Sequence, residues 1–188
     1  MIRTFIALEL PNQLKKELEN IITHYARVTS VGVNWVKPEN LHLTLLFIGD
    51  VQPAQLAEIE EALTKQLIDF PAFNFTPEGL EFFPAINPHL LWLKLSSPNN
   101  DIFKLNRHIG RELSAQGILS DNKAIKLHIT LARLKINLAP ELEREIMSQN
   151  IIRTPLLFDT VCLYKSQLMP EGPKYTILNK HNLLSAGG

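Results

Sequence analysis

The sequence predicts an α+β fold in which two similar lobes, related by a pseudo-twofold axis, line a central cleft with mostly antiparallel sheets and carry their helices outside. Three observations support this prediction. The pentapeptide LHLTL at 41–45 returns as LHITL at 127–131. The order strand, helix and histidine-bearing strand occurs twice along the chain. No linker or low-complexity segment separates the two occurrences, so we expect one domain over residues 1–188 whose halves share a core.

The first half is divided into elements by its apolar periodicity and by its Pro and Gly positions. Apolar residues at helical spacing after Pro11 predict an amphipathic helix, because proline suits the start of a helix. The expected elements are a strand at 4–10, a helix to about residue 28, a short strand and turn at 33–40, the first histidine strand at 41–50, ended by Gly-Asp, a helix at 56–67, and a β-rich segment at 73–84 that Pro and Gly interrupt.

The second half repeats this order and then adds closing strands. Gly117 is expected to end its long helix. The expected elements are a strand at 89–96, a helix at 98–117, the second histidine strand at 124–134, a short helix at 139–150, and closing strands at 155–166 and 174–179 on either side of a loop at 167–173.

Composition excludes several classes of protein. The net charge is +0 and the pI is about 7.0, so the broad basic surface of a long-duplex binder is missing and any nucleic-acid contact has to be local. Cys162 is the single cysteine, which excludes an intrachain disulfide and a thiolate zinc cluster. No apolar run reaches the roughly 20 residues of a membrane helix, and the N-terminal segment resembles a strand more than a signal peptide. We therefore expect a cytoplasmic, globular protein without membrane contact.

The two pentapeptides place the same polar residues at the same phase of a strand. Because side chains alternate between the faces of a strand, His42 and Thr44 share one face. His128 and Thr130 do the same in the second copy. A strand that served only stability would carry aliphatic residues at these positions if they were buried. The pattern therefore predicts that both strands line one cleft, in which two imidazoles and two hydroxyls face each other.

Two histidines across a cleft suit phosphodiester chemistry. A neutral imidazole can take a proton from an attacking water or hydroxyl, while an imidazolium protonates the departing oxygen. An ordinary histidine pKa of about 6.5 keeps both forms accessible near neutral pH. Threonine hydroxyls can donate hydrogen bonds to the non-bridging phosphate oxygens. No carboxylate cluster or metal-ligand spacing accompanies the pair, so we expect a mechanism without a metal or another cofactor.

The two His-x-Thr-x motifs resemble those of the 2H phosphoesterase superfamily. More closely, the chain is similar to the bacterial and archaeal RNA 2′,3′-cyclic phosphodiesterases, also called 2′-5′ RNA ligases. The matching stretches are RTFIALELP at 3–11, VNWVKPENLHLTLLFIGDV at 33–51, LHITLAR at 127–133 and LYKSQLMPEGPKYTIL at 163–178. The resemblance implies a single bilobal domain that hydrolyses 2′,3′-cyclic phosphates, on RNA ends or nucleotides, to 2′-phosphomonoesters. It implies no obligate protein partner.

The resemblance also implies roles for individual residues. His42 is expected to donate a proton to the leaving O3′, and His128 is expected to accept one from water. Thr44 and Thr130 are expected to hold the phosphate. Arg133 matches a basic position that is expected to assist substrate binding. Arg133 lies an odd number of residues after His128, so strand alternation places it on the opposite face unless the strand ends or bulges first.

The remaining aromatic residues allow two interpretations. Phe5 and Tyr175 match family positions that could border the base site, but packing in the core is the simpler explanation of both. Trp92 is expected to pack within its lobe. The chain departs from the family at Leu127, where proline is frequent, and we expect this to change local geometry rather than chemistry.

Two other functions remain open on the sequence alone. The same histidines could catalyse reversible 2′-5′ RNA ligation, with an RNA hydroxyl in place of water, and the sequence does not separate the two directions. A non-catalytic module that binds RNA ends or nucleotides would use the cleft without turnover. The presence of both histidines and both threonines favours an enzyme over such a module.

Overall fold

The computed structural model describes residues 1–29, 31–83, 89–121, 123–170 and 172–184. A short 3₁₀ turn at Pro38–Asn40 precedes the first histidine strand. In chain order the other elements are β1 (Ile2–Glu9), α1 (Asn12–Ala26), β2 (Val33–Trp35), β3 (His42–Val51), α2 (Gln55–Leu67), β4 (Phe73–Phe83), β5 (His89–Ser96), α3 (Asp101–Ala115), β6 (His128–Leu134), α4 (Pro140–Met147), β7 (Leu156–Phe158), β8 (Thr160–Met169) and β9 (Gly172–Asn182). Within these ranges, none of the helices has the length and apolar character needed to cross a membrane.

The strands form two antiparallel sheets of corresponding topology. Sheet A has the order β3-β1-β8-β9, and sheet B has the order β2-β6-β5-β4-β7. When the two orders are aligned on the histidine strands, β3 corresponds to β6, β1 to β5, β8 to β4 and β9 to β7. Strand β2 is then an additional edge on sheet B. This confirms the predicted α+β fold with two similar lobes in a pseudo-twofold arrangement.

Each sheet combines strands from both halves of the chain. Strand β4, at the end of the first half, pairs with β5 in sheet B, and β8, near the end of the second half, pairs with β1 in sheet A. The short strand β2 also crosses over and pairs with β6. This exchange agrees with halves that share one core. That residues 1–188 form a single domain stays a prediction.

The helices pack on the aliphatic faces of the sheets, opposite the histidines. In α1, the buried residues Leu14, Leu18, Ile21 and Tyr25 recur every three or four positions and so lie on one side of the helix. They belong to one continuous core with the aliphatic residues that alternate with the polar positions of β3 and β6. Truncating a fully buried leucine in such a core costs about 2–5 kcal/mol. This packing fixes the sheets and leaves their other faces for the cleft.

Two strands continue through residues that were predicted to interrupt them. Strand β3 does not end at Gly49 and Asp50, because Gly49 adopts a φ of 91° and the strand runs on to Val51. Strand β4 continues through Pro77 and Gly79 by means of a β-bulge between them. Glycine at a positive φ is what such irregular positions require. The predicted breaks are therefore bulges within longer strands.

The closing strands also differ from the prediction. The segment at 155–166 is not one strand: β7 pairs with β4 in sheet B, whereas β8 pairs with β1 in sheet A. The predicted loop at 167–173 is largely a hairpin, in which β8 extends to Met169 and β9 begins at Gly172. The hairpin register pairs Leu168 with Pro173, so the two strands stay together almost to their tip.

Candidate active site

The two histidine strands have the same burial pattern from their first residue. His42 begins β3 and His128 begins β6. In both strands a half-buried histidine is followed by a buried aliphatic residue, a half-buried threonine, two buried apolar residues and one exposed residue. Thr44 and Thr130 therefore lie on the faces of their histidines, as strand alternation predicts. Each strand presents one His/Thr pair at the same phase.

Both histidine strands carry a β-bulge three residues after the histidine. The extra residue is Leu45 in β3 and Leu131 in β6. One extra residue shifts the alternation of side chains by one position. The fifth residue after each histidine therefore returns to the histidine face. This residue is Phe47 in β3 and Arg133 in β6.

Contacts agree with this shift. The ring centroid of Phe47 lies 5.9 Å from that of Phe5, and the Phe5 ring lies 4.9 Å from the His42 imidazole. Burial is the main cause that lowers the pKa of both histidines, and the positive charge of Arg133 adds to it at each. This agrees with a place for Arg133 on the histidine face of β6, after the bulge. Its odd offset from His128 does not remove it from the cleft, because the strand bulges first.

The His42 imidazole is held between a backbone carbonyl and aromatic rings. Its Nδ1–H donates a hydrogen bond of 2.7 Å to the carbonyl oxygen of Asn40. Asn40 is the buried last residue of the 3₁₀ turn, and its side-chain amide donates to the carbonyl oxygen of Pro173 at 2.8 Å. The ring centroids of Phe5 and Tyr175 lie 4.9 and 5.4 Å from the imidazole. The turn and β9 together fix the ring.

The His128 imidazole is held in the same manner by different residues. Its Nδ1–H donates to the carbonyl oxygen of Lys126 at 2.9 Å. Trp92 of β5 lies beside the imidazole, with ring centroids 4.4 Å apart. The indole N–H of Trp92 donates to Glu81 at 2.6 Å, and its ring stacks on Phe83 at 4.3 Å. Aromatic support from a neighbouring strand is thus common to both histidines.

These hydrogen bonds determine which nitrogen of each imidazole is left for other partners. A carbonyl oxygen only accepts hydrogen bonds, so each neutral imidazole carries its proton on Nδ1 and has a lone pair on Nε2. Nε2 can therefore take up a proton in the neutral form and donate one in the charged form. The cleft contains two equivalent Nε2 atoms, one from each sheet, and either can transfer a proton.

Burial makes both histidines weaker bases than usual. It lowers the pKa of His42 from 6.5 to about 4, against the opposing effect of the hydrogen bond to Asn40, and the charges of His128 and Arg133 lower it further. Burial also lowers the pKa of His128, and the charges of Lys126 and Arg133 act in the same direction. The charge of His128 acts on His42 in this way, in keeping with the contact between strands β3 and β6. Both imidazoles are mainly neutral at neutral pH in the free protein.

Phe5 and Tyr175, the two aromatic residues suggested for the base site, have different surroundings. Phe5 is 3% exposed and stacks on Tyr164 at 5.0 Å, so it supports His42 and has little surface left for a ligand. Tyr175 is half-buried at the edge of the cleft, with its ring edge-on to Phe5 at 4.9 Å. Of the two, Tyr175 is the one with surface available to a substrate.

Two aromatic residues of the cleft were missed by the sequence prediction. Phe47 is 50% exposed on the histidine face of β3. The repeat contained a signal for it, because Phe47 occupies the position of Arg133 in the second copy. Trp92 was expected only to pack within its lobe, and it is indeed buried, yet it contacts His128. No spacing rule marks Trp92, because its position depends on the pairing of β5 with β6.

Comparison with known proteins agrees with this geometry. A protein family described as LigT like Phosphoesterase matches the chain twice, over residues 8–92 and 93–175. Each match contains one histidine motif, and together they cover most of the chain. The chain belongs to the LigT-like phosphoesterase family. This membership confirms the resemblance to the 2H phosphoesterases.

Individual relatives and structures are consistent with this assignment. The chain is 33% identical over 178 residues to the RNA 2′,3′-cyclic phosphodiesterase of Thermotoga maritima, and the match covers 94% of this chain and 93% of that protein. The protein of the same name from Archaeoglobus fulgidus is 32% identical over 135 residues, or 71% of this chain and 73% of that one. The crystal structure of TT0787 from Thermus thermophilus is similar in fold, with a TM-score of 0.79 and 24% identity over 98% of this chain and 100% of that one. Escherichia coli LigT complexed with 3′-AMP has a TM-score of 0.71 and 22% identity over 97% and 98% of the two chains.

Proposed function

We propose that this protein hydrolyses 2′,3′-cyclic phosphodiesters, at RNA ends or on nucleotides, to 2′-phosphomonoesters. The observation that supports this most strongly is the pair of equivalent imidazoles on β3 and β6, each with Nδ1 bound to a carbonyl and Nε2 available for proton transfer. Two relatives that share most of the chain are RNA 2′,3′-cyclic phosphodiesterases by name. That likeness supports the substrate class, and the two imidazoles support a mechanism of acid and base catalysis.

Hydrolysis needs one proton taken and one proton given. Water attacks the phosphorus on the side opposite O3′, and the neutral Nε2 of His128 takes a proton from it as the new P–O bond forms. The charged Nε2–H of His42 gives its proton to O3′ as the P–O3′ bond breaks. The products are a 2′-phosphomonoester and a free 3′-hydroxyl. Proton exchange with solvent then returns both histidines to their starting forms.

The predicted donor role of His42 requires substrate to change its ionisation. Burial keeps His42 neutral at neutral pH in the free protein. A phosphate anion next to the imidazole raises the pKa of His42, because an opposite charge favours the charged form. The hydroxyls of Thr44 and Thr130 donate to the non-bridging oxygens, and Arg133 offsets the negative charge that develops there.

The remaining surface of the cleft suits a nucleoside. Phe47 and Tyr175 present aromatic surface close to His42: Tyr175 lies beside the imidazole, and Phe5 lies between the imidazole and Phe47. Aromatic faces stack on bases with little dependence on base sequence. All steps use side chains of this chain, so we predict activity without a metal or other cofactor and without an obligate protein partner. A cytoplasmic location stays a prediction, which fits a substrate made of RNA.

The direct test is an oligonucleotide that ends in a 2′,3′-cyclic phosphate, incubated with the protein in EDTA. We expect conversion to a 2′-phosphate end, identified by phosphorus NMR. A 3′-phosphate product would contradict the proposed leaving group, and activity that required a divalent cation would contradict the metal-free mechanism. Tight binding of the cyclic end without any turnover would favour a non-catalytic binding module instead.

A further inference from the structure

The cleft face of sheet A continues beyond the catalytic residues to an arginine that the mechanism does not use. Arg3 lies two residues before Phe5 on β1, so the two side chains share a face. In the sheet register Arg3 pairs with Ser166 of β8, which pairs with Tyr175 of β9. Arg3 and Tyr175 therefore stand in one row across the sheet, on the side of the sheet that carries His42.

Tyr175 connects Arg3 with the catalytic residues. Its ring lies 5.4 Å from that of His42. Burial raises the pKa of the Tyr175 phenol, and the positive charges of Arg133 and Arg3 act against this. Arg133 comes from sheet B and Arg3 from sheet A. The two charges that act on Tyr175 therefore come from different lobes.

Arg3 has no ion-pair partner within the part of the chain that the structure describes. Arg3 is exposed and takes part in none of the ion pairs found there. Asp50, which lies opposite Arg3 in the register with β3, forms no ion pair with it. Lys180 of β9, by contrast, is paired with Glu9 at 2.8 Å. An exposed guanidinium on the face of a substrate cleft is well suited to an external phosphate.

We infer that Arg3 binds the phosphate that joins the terminal nucleotide of an RNA to the preceding one, and that the site thereby favours RNA ends over mononucleotides. Tyr175 lies in the row of Arg3, and its ring lies 5.4 Å from that of His42, so an RNA strand that leaves the histidines along Tyr175 meets Arg3 next. With the cyclic phosphate between the two histidines, the next phosphate towards the 5′ end then reaches Arg3 past Tyr175. The planar guanidinium can donate two parallel hydrogen bonds to it. This inference deepens the proposed function and rests on it.

The test compares uridine 2′,3′-cyclic phosphate with the dinucleotide UpU that carries the same cyclic end. The quantity measured is the ratio of kcat/KM for the dinucleotide to kcat/KM for the mononucleotide. For the wild-type protein we expect a ratio on the order of 10, as is typical of a charge-assisted hydrogen bond. Arg3→Gln is expected to lower the ratio to about 1. Arg3→Lys should retain part of it, because lysine keeps the charge but not the planar fork.

A matched variant and a modified substrate serve as controls. Arg27→Gln removes an exposed arginine at the end of α1, outside the cleft, and should leave the ratio unchanged. A UpU analogue with a neutral methylphosphonate linkage removes the charge without changing the protein, and the wild-type ratio should then fall to about 1. A wild-type ratio near 1 for ordinary UpU, or an equal loss on both substrates in Arg3→Gln, would overturn the inference. If the wild-type protein turned over neither substrate, the proposed function itself would be wrong.

Discussion

Replacing His42 or His128 with alanine is expected to lower kcat on a 2′,3′-cyclic phosphate by about 10²- to 10⁴-fold in each case. Each change removes an Nε2 atom that, in the proposed mechanism, transfers a proton in the bond-making or bond-breaking step. The double variant is expected to lose little more than either single one, because groups that act as a unit have non-additive effects. Steady-state kinetics with a cyclic-phosphate oligonucleotide measure all three variants.

Substitution by asparagine separates the position of the ring from its chemistry. In His42→Asn and His128→Asn the amide can still donate a hydrogen bond to the carbonyl two residues earlier, but it does not titrate. We expect the same loss as with alanine and unchanged thermal unfolding. His108→Ala, on the exposed side of α3, is the control and should retain activity. Full activity in either catalytic variant would show that its histidine has been given the wrong role.

The pH dependence of kcat/KM is expected to be bell-shaped, with a maximum below pH 6.5. This parameter reports the ionisation of the free protein, in which burial lowers the pKa of His42 to about 4 and also lowers the pKa of His128 from 6.5. The proposed mechanism needs one charged and one neutral imidazole, so kcat/KM should be greatest between the two pKa values. Above the higher one, kcat/KM should fall about tenfold per pH unit.

Two related measurements check the electrostatic origin of this profile. The maximum of kcat should lie at higher pH than that of kcat/KM, because the bound phosphate anion raises the pKa of both imidazoles. Arg133→Gln removes a positive charge that lowers both pKa values, so the kcat/KM profile should move to higher pH. A flat profile between about pH 5 and 9, with chemistry rate-limiting, would contradict catalysis by an acid and a base in this range.

Most of the candidate site follows from the repeated pentapeptide. Strand alternation alone places His42 with Thr44 and His128 with Thr130, and the structure has both pairs on equivalent strands. The repeat also places Phe47 and Arg133 at the same position after their histidines, although the resemblance to the family points only to the arginine. Local patterns are sufficient here because the period of a strand is a property of its own backbone.

The parts that were missed depend on contacts between distant segments. The bulges at Leu45 and Leu131 depend on the pairing of β3 with β1 and of β6 with β5. No residue type near them predicts an extra residue at these positions. The contact of Trp92 with His128 has the same origin. Gly49 predicts the end of a strand, whereas in the structure it pairs with β1 and its positive φ lies within the strand. Tertiary pairing decides each of these positions.

The orientation of the imidazoles was also beyond the sequence. His42 depends on the carbonyl of Asn40, whose side chain is in turn bound to Pro173, 133 residues away. His128 uses the carbonyl of Lys126 in the corresponding position. The spacing of two residues is visible in the sequence, but only the folded chain shows that these carbonyls turn towards Nδ1. This detail leaves both Nε2 atoms available for proton transfer.

A crystal structure with a uridine–vanadate complex tests most directly whether two imidazoles meet around one phosphorus. Vanadate takes the five-coordinate geometry of phosphoryl transfer, and such analogues bind more tightly than substrates. We expect the Nε2 atoms of His42 and His128 to lie about 2.6–3.2 Å from two different oxygens on opposite sides of the vanadium. Vanadium held by one imidazole alone, or bound away from both, would contradict catalysis by this pair.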